Sequence, residues 1–228
     1  MTRSTVVRVA RSALVQLFAM MILLVPALAR AGGPVALPAL EGAKSPLQIE
    51  IVGYNGSTNG EMLVRVKNPT AKSATFAARG LYFVPDGDPE KAPQRLGAAG
   101  PFSVTRNDKV EQVEKLDIPA GATSEVSLQV FCIDSHRPSP TSDTPFSLAK
   151  TRLPKQLHNQ IEAQAKVALK KSGGKMPAAK PAIQQEVWAA RNKAWIKLDG
   201  ERANEKSDEP PHRQERRPSP PPKQPALK

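Results

Sequence analysis

The ten residues from Thr123 to Cys132 constrain the fold more than any other part of this sequence. One face of this segment would carry Val126, Leu128, Val130 and Cys132, and the other Glu125, Ser127, Gln129 and Phe131. Alternation with a period of two is typical of a β-strand that has one face in a core. A polar loop with Pro138 and Pro140 follows, so we predict that the strand ends near Cys132.

The residues before this strand form further short β-segments that are separated by turns. The strands that we predict lie at 47–54, 62–68, 74–84, 102–106 and 113–118. The first two flank NGSTNG (55–60), a sequence rich in residues that favour tight turns, so they are expected to form a hairpin. Gly80 in the third segment predicts a bulge or a break into two strands. This pattern predicts a mainly β, antiparallel sandwich, similar to the immunoglobulin-like domains of secreted bacterial proteins.

After residue 150 the apolar residues recur every three or four positions, which predicts helices. The first helix is expected at 153–171, where Gly173 and Gly174 would end it. The second is expected at 181–198, with Trp188 and Trp195 beside its apolar stripe. Neither helix buries its stripe alone, so we predict a helical hairpin that packs on the sandwich.

The N-terminus has the features of a signal peptide. Arg3, Arg8 and Arg11 precede an apolar run of about 14 residues, short of the about 20 that a spanning helix needs. Small residues in an A-x-A arrangement follow, so we predict cleavage after Ala31 and no stable membrane span afterwards. An uncleaved anchor is the alternative, which Arg30 favours. The predicted divisions are a signal peptide (1–31), a linker (32–45), the sandwich (46–135), the loop with the helical hairpin (136–199) and a disordered, basic, proline-rich tail (200–228).

Positive charge is concentrated in the helices. Residues 32–150 carry 12 Lys or Arg against 13 Asp or Glu, whereas residues 151–200 carry 10 against 3. A basic helical face suits an anionic envelope or surface partner, and a solvated lysine face is the alternative. Export and the lack of a basic, aromatic-rich sheet argue against nucleic acid.

The sequence offers little catalytic chemistry. His136, His158 and His212 share no metal-ligand spacing, and no glycine-rich phosphate loop is present, so we predict no metal and no cofactor. Cys132 and His136 are a nominal nucleophile and base. No third group is evident to orient them, so a cysteine-nucleophile enzyme is the least favoured alternative.

Two short motifs resemble those of bacterial thioester domains, which are surface proteins. Phe131-Cys132-Ile133-Asp134 is similar to their aromatic–Cys–apolar motif. The segment 183–188, IQQEVW, is similar to their Thr-Gln-x-Ala-Ile-Trp motif and departs from it at Ile183 and Glu186. The resemblance implies a thioester between Cys132 and Gln184.

The thioester would need a dry pocket, to which Phe131, His136 and Trp188 are expected to contribute. The alternative for Cys132 is a small apolar core residue that packs against Trp188. The main prediction is an exported, non-enzymatic envelope protein, periplasmic or extracellular, with a binding or structural role. A covalent adhesion module that uses Cys132 and Gln184 is the second hypothesis.

Overall fold

The computed structural model describes residues 33–56, 59–106, 108–193, 196–202 and 205. All of them belong to one compact unit. The predicted signal peptide and the tail from residue 206 lie outside the described residues, as does Trp195. Within the described part of the chain, no helix is both long and apolar enough to cross a membrane.

The fold is mainly β, with two helices at the C-terminal end. The described strands are β1 (Val35–Ala36), β2 (Gln48–Tyr54), β3 (Glu61–Lys67), β4 (Ala74–Phe76), β5 (Tyr82–Pro85), β6 (Leu96–Ala98), β7 (Phe102–Arg106), β8 (Lys109–Val113), β9 (Leu116–Ile118), β10 (Thr123–Cys132) and β11 (Phe146–Leu148). The helices are α1 (Lys155–Lys171) and α2 (Met176–Lys193). The predicted β2–β3 hairpin is confirmed, and so is the break at Gly80, whose φ of 73° suits glycine.

Strand β10 is the centre of a nearly closed antiparallel sheet. Along one edge it pairs with β3, from Thr123 to Gln129. Along the other edge its middle pairs with β7 and its last three residues pair with β6. Strands β5 and β11 continue from β6, and β2 and β1 continue from β3. Tyr54 of β2 and Phe146 of β11 stack edge to face, with ring centroids 5.6 Å apart, which brings the two ends of the sheet together.

The two faces of β10 belong to two different hydrophobic clusters. Val126, Leu128, Val130 and Cys132 lie in the cluster enclosed by the strands, which we call the sheet core. Phe131 and Ile133 lie in a second cluster with the apolar stripes of α1 and α2, which we call the helix core. The predicted alternation of β10 and the packing of a helical hairpin on the β-domain are therefore confirmed.

The sequence predicts the second helix at 181–198, whereas α2 begins at Met176 and ends at Lys193, five residues earlier at each end. The segment 176–180 reads as a connection because Pro177 lies within it and Pro181 follows it, and a proline inside a helix removes a backbone hydrogen bond. Met176 and Ala179 are nevertheless buried in the helix core. Burial of these two side chains supports the extra turn despite Pro181.

The chain contacts the domain beyond the predicted boundaries at both ends. In the predicted linker, β1 pairs with β2 and Leu37 lies in the sheet core. A two-residue strand is too short to show a period, so the sequence pattern does not reveal it. In the predicted tail, the carboxylates of Glu201 and Glu205 are buried, with 7% and 1% of their side chains exposed. The contacts of the folded domain therefore extend to residue 205.

Candidate functional site

Strand β10 extends three residues beyond the last residue that pairs with β3. The last paired residue is Gln129, opposite Glu61, and the next backbone hydrogen bond on that edge runs from Val130 N–H to the carbonyl of Gly60. Backbone groups two residues apart face the same edge of a strand. The N–H and C=O of Cys132 therefore face an edge where β3 has ended.

The side-chain amide of Gln184 occupies this position. Its Oε1 accepts a hydrogen bond from Cys132 N–H at 2.9 Å, and its Nε2 donates one to the Cys132 carbonyl oxygen at 2.7 Å. A primary amide presents the same donor and acceptor as a peptide group. Gln184 of α2 thus extends the ladder of β10 by one residue and satisfies two buried backbone groups, each of which would be costly to leave unpaired.

The thiol of Cys132 lies in the sheet core and is fully buried. Burial raises the pKa of this thiol to about 12, with a smaller contribution from the negative charge of Asp134. The thiol is therefore protonated at neutral pH. Because the thiolate is the nucleophilic form of cysteine, this environment lowers the reactivity of Cys132.

The other predicted site residues are distributed around this contact. Trp188, one helical turn after Gln184, packs against the sheet core and donates from Nε1 to Gln94 Oε1 at 3.2 Å. Phe131 lies on the opposite face of β10, in the helix core. His136 Nε2 lies 2.6 Å from Glu205 Oε1. The structure therefore brings Cys132, Gln184 and Trp188 together at the sheet core. Phe131 and His136 do not join them: Phe131 lies in the helix core, and His136 contacts Glu205.

A buried group of charges beside this contact is not evident from the sequence. We call it the arginine cluster, and its members are Arg95, Arg137, Arg191, Asp134, Glu201 and Glu205. Arg95 binds Asp134 through two hydrogen bonds of 2.7 and 2.6 Å, and its Nη1 donates to Glu201 at 2.8 Å. The side chains of the three arginines are completely buried.

Glu205 is held by a two-pronged contact with Arg137. Arg137 Nε and Nη2 each donate to one carboxylate oxygen of Glu205 at 2.6 Å, the bidentate geometry that arginine and carboxylate groups favour. Burial opposes ionisation of Glu205, but the hydrogen bonds from Arg137 and His136 outweigh it and lower the pKa to about 2. Glu205 therefore stays charged throughout the physiological range. The cluster joins the end of β10 to the chain that follows α2.

Lysines give the helical hairpin a basic outer surface. The exposed ones are Lys155, Lys166, Lys170, Lys171, Lys175 and Lys193. Its two acidic residues, Glu162 and Glu186, are half-buried. Lys170 and Lys171 lie in the last turn of α1, where the helix dipole favours cations. Together with Lys175 in the following turn they concentrate positive charge at the tip of the hairpin, and we call these three residues the tip lysines.

Within the described residues, no three His, Cys, Asp or Glu side chains are grouped so that they could hold a metal ion. The arrangement at the end of β10 is one of hydrogen bonds and ion pairs. Comparison with known proteins finds no matching family model, no matching curated protein and no matching solved structure.

Proposed function

We propose that this protein is an exported, non-enzymatic module of the cell envelope that binds an anionic partner through the tip lysines. The observation that carries the proposal is the exposure of the hairpin's lysines while both of its acidic residues are half-buried. Positive charges on an exposed surface attract polyanions over about a Debye length, and salt weakens the attraction. The neutral β-domain would act as the scaffold that presents the hairpin.

Two further parts of this proposal concern export and the type of β-fold. Export is supported by the arginine-led apolar run and the A-x-A pattern that ends at Ala31. An immunoglobulin-like sandwich is supported by the short antiparallel strands and by their enclosed core. N-terminal sequencing of the exported protein should find a start at about Gly32, and recovery of an intact Met1 in membranes would contradict cleavage.

The tip lysines can be tested with a matched set of charge reversals. The test variant carries Lys170→Glu, Lys171→Glu and Lys175→Glu, and the control carries Lys44→Glu, Lys72→Glu and Lys91→Glu. All six lysines are exposed, so the two variants have equal net charge. On immobilised dextran sulfate, the test variant should elute at clearly lower salt than the control. Equal elution of the two variants would show that net charge alone accounts for binding.

A second candidate function is covalent adhesion through a thioester between Cys132 and Gln184. The observation that favours it is the buried contact between the Gln184 side-chain amide and the backbone of Cys132, 52 positions apart in the chain. Formation would join Sγ of Cys132 to the side-chain carbonyl carbon of Gln184 and break the carbon–Nε2 bond. The amide nitrogen would leave as ammonia with the thiol proton. The hydrogen bond from Cys132 N–H to Oε1 would stabilise negative charge on that oxygen during the attack.

Intact mass distinguishes the thioester from a core cysteine. A thioester makes the protein about 17 Da lighter than its sequence mass, and methylamine restores a thiol. Cys132→Ala and Gln184→Ala should each abolish the mass loss. We expect the unmodified mass and a thiol that reacts with a maleimide only after unfolding, because burial keeps it protonated.

A cysteine-nucleophile enzyme has less support. The raised pKa of the Cys132 thiol disfavours the thiolate, and the ring of His136 contacts Glu205. Rapid reaction of the Cys132 thiol in the folded protein at pH 7 would support the enzyme hypothesis.

A further inference from the structure

A cleft of about 460 Å³ opens between α1 and the loops on one side of the β-domain. Its volume falls within the range of about 300–1,000 Å³ that is usual for small-ligand sites. Ala163 of α1 and Gly100 between β6 and β7 are among its lining residues. The small side chain of Ala163 leaves the space beside it open. The cleft is separate from the tip lysines and from the Cys132–Gln184 contact.

The cleft is lined by three acidic and three basic residues. They are Glu41, Glu114, Glu162, Arg79, Lys115 and Lys166. The contacts among them are long: Arg79 lies 3.9 Å from Glu41, and Lys166 lies 3.5 Å from Glu114. Exposed pairs of this kind contribute about 0–1 kcal/mol, so a ligand can displace them. An anion or a cation alone would meet as many repulsive groups as attractive ones.

Arg79 is the cation best placed to bind a ligand. An arginine side chain has five N–H donors. Within the described residues, this side chain makes one hydrogen bond, from Nη2 to Asn159 Oδ1. Its Nε is buried and has no hydrogen-bond partner among the described residues, so the outer nitrogens of the guanidinium are the ones that face a ligand. About 41% of the side chain is exposed, so the guanidinium can meet a carboxylate in the cleft.

Glu162 is the matching anion. Its Oε1 accepts a long hydrogen bond of 3.4 Å from Gly100 N–H. Burial raises the pKa of this carboxyl group, while Gly100 N–H and the positive charges of Arg79 and Lys166 act in the opposite direction. A half-buried carboxylate with one weak hydrogen bond gains from a ligand ammonium group, which supplies both a donor and a charge.

We propose that this cleft binds a small zwitterion, an amino acid or short peptide, whose carboxylate meets Arg79 and whose ammonium group meets Glu162. The two charges of one ligand then match both signs of the lining at once. This inference is independent of the proposed anionic partner, because it uses different residues on a different surface.

The test uses L-alanyl-L-alanine and two analogues that each lack one charge. N-acetyl-alanyl-alanine keeps the carboxylate, and alanyl-alanine amide keeps the ammonium group. In titrations of the full exported chain followed by NMR, dialanine should bind, and each analogue should bind about tenfold or more weakly, as expected for losing a charged hydrogen bond. The affinity for free alanine, compared with that for dialanine, shows whether the cleft prefers an amino acid or a peptide. Equal affinity for dialanine and both analogues would overturn the proposal, as would no binding of either dialanine or alanine.

Substitutions of Arg79 and Glu162 then test which residue binds which end of the ligand. Arg79→Gln should weaken dialanine about tenfold and leave the amide unchanged, and Glu162→Gln should weaken dialanine and leave the N-acetyl form unchanged. A variant that weakens all ligands equally would refute the role of that residue. Ala163→Leu should fill the cleft and abolish binding, whereas Ala189→Leu, the same change on an exposed position of α2, should not. Binding that survives Ala163→Leu would place the ligand outside the cleft.

Discussion

The amide of Gln184 contacts the backbone of Cys132 at both its N–H and its carbonyl oxygen, at 2.9 and 2.7 Å. This contact fastens α2 to the last residue of β10 at the point where β3 has ended. It supplies the hydrogen bonds that a longer β3 would otherwise make. The same contact places the two residues of the thioester resemblance side by side.

Replacement of Gln184 by leucine should destabilise the protein strongly. The change leaves the buried N–H and C=O of Cys132 without their partner, at about 1–3 kcal/mol for each group. Gln185→Leu is the control, because the neighbouring side chain is exposed, and it should change stability by less than about 0.5 kcal/mol. Urea denaturation measures both, and similar stabilities of the two variants would contradict the structural role of Gln184.

The end of the folded domain can be located by truncation. A chain that ends at Glu205 should melt at the same temperature as the full chain, because the segment after it has the composition of a disordered tail. A chain that ends at Gly200 takes Glu205 from the buried Arg137 and Glu201 from the buried Arg95 and Arg191, while Asp134 remains beside the last two. Removal of one partner from a buried pair costs about 3–5 kcal/mol. Equal melting temperatures of the two truncated chains would show that the arginine cluster does not stabilise the fold.

Glu205 should make stability depend on acid pH. Its pKa is about 2 in the folded protein, below the value of about 4.3 for an unfolded chain. A lowered folded pKa means that the carboxylate contributes its full stability above the unfolded pKa. That contribution is lost as pH falls from about 4.5 towards 2.

Glu205→Gln removes this titration, so its stability curve should fall less steeply than that of the wild type between those pH values. Denaturation in urea over a series of pH values measures the two curves. Parallel curves would mean that Glu205 does not hold its charge through Arg137 and His136.

Val187→Asp should be severely destabilising. Val187 lies in the helix core with 1% of its surface exposed, and an aspartate there would bury a charge without a partner. We expect a loss on the order of 4 kcal/mol or more. Ala189→Asp places the same charge on an exposed position of α2 and should have little effect. Comparable unfolding midpoints for the two variants would indicate that α2 does not pack through this face.

Much of the fold is predictable from the sequence because its signals are local. The period of two in β10 correctly indicates which side chains face the sheet core, and the stripe of α1 correctly indicates its buried face. Gly80 marks the break between β4 and β5 because few other residues accept its positive φ. Each of these signals is complete within one element and needs no knowledge of its neighbours.

The tertiary structure alone decides which elements meet, and this determines the chemistry of the site. The resemblance pairs Gln184 with Cys132, but the bonds to the Cys132 backbone depend on where β3 ends. The arginine cluster joins residues from 95 to 205, whose charges form no sequence pattern and read as ordinary surface groups. Whether a charge is buried depends on the groups that pack around it. Arg95 is packed against the carboxylates of Asp134, which follows β10, and Glu201, which follows α2. Local periodicity identifies a buried face, whereas the partner on that face is set by contacts between residues far apart in the chain.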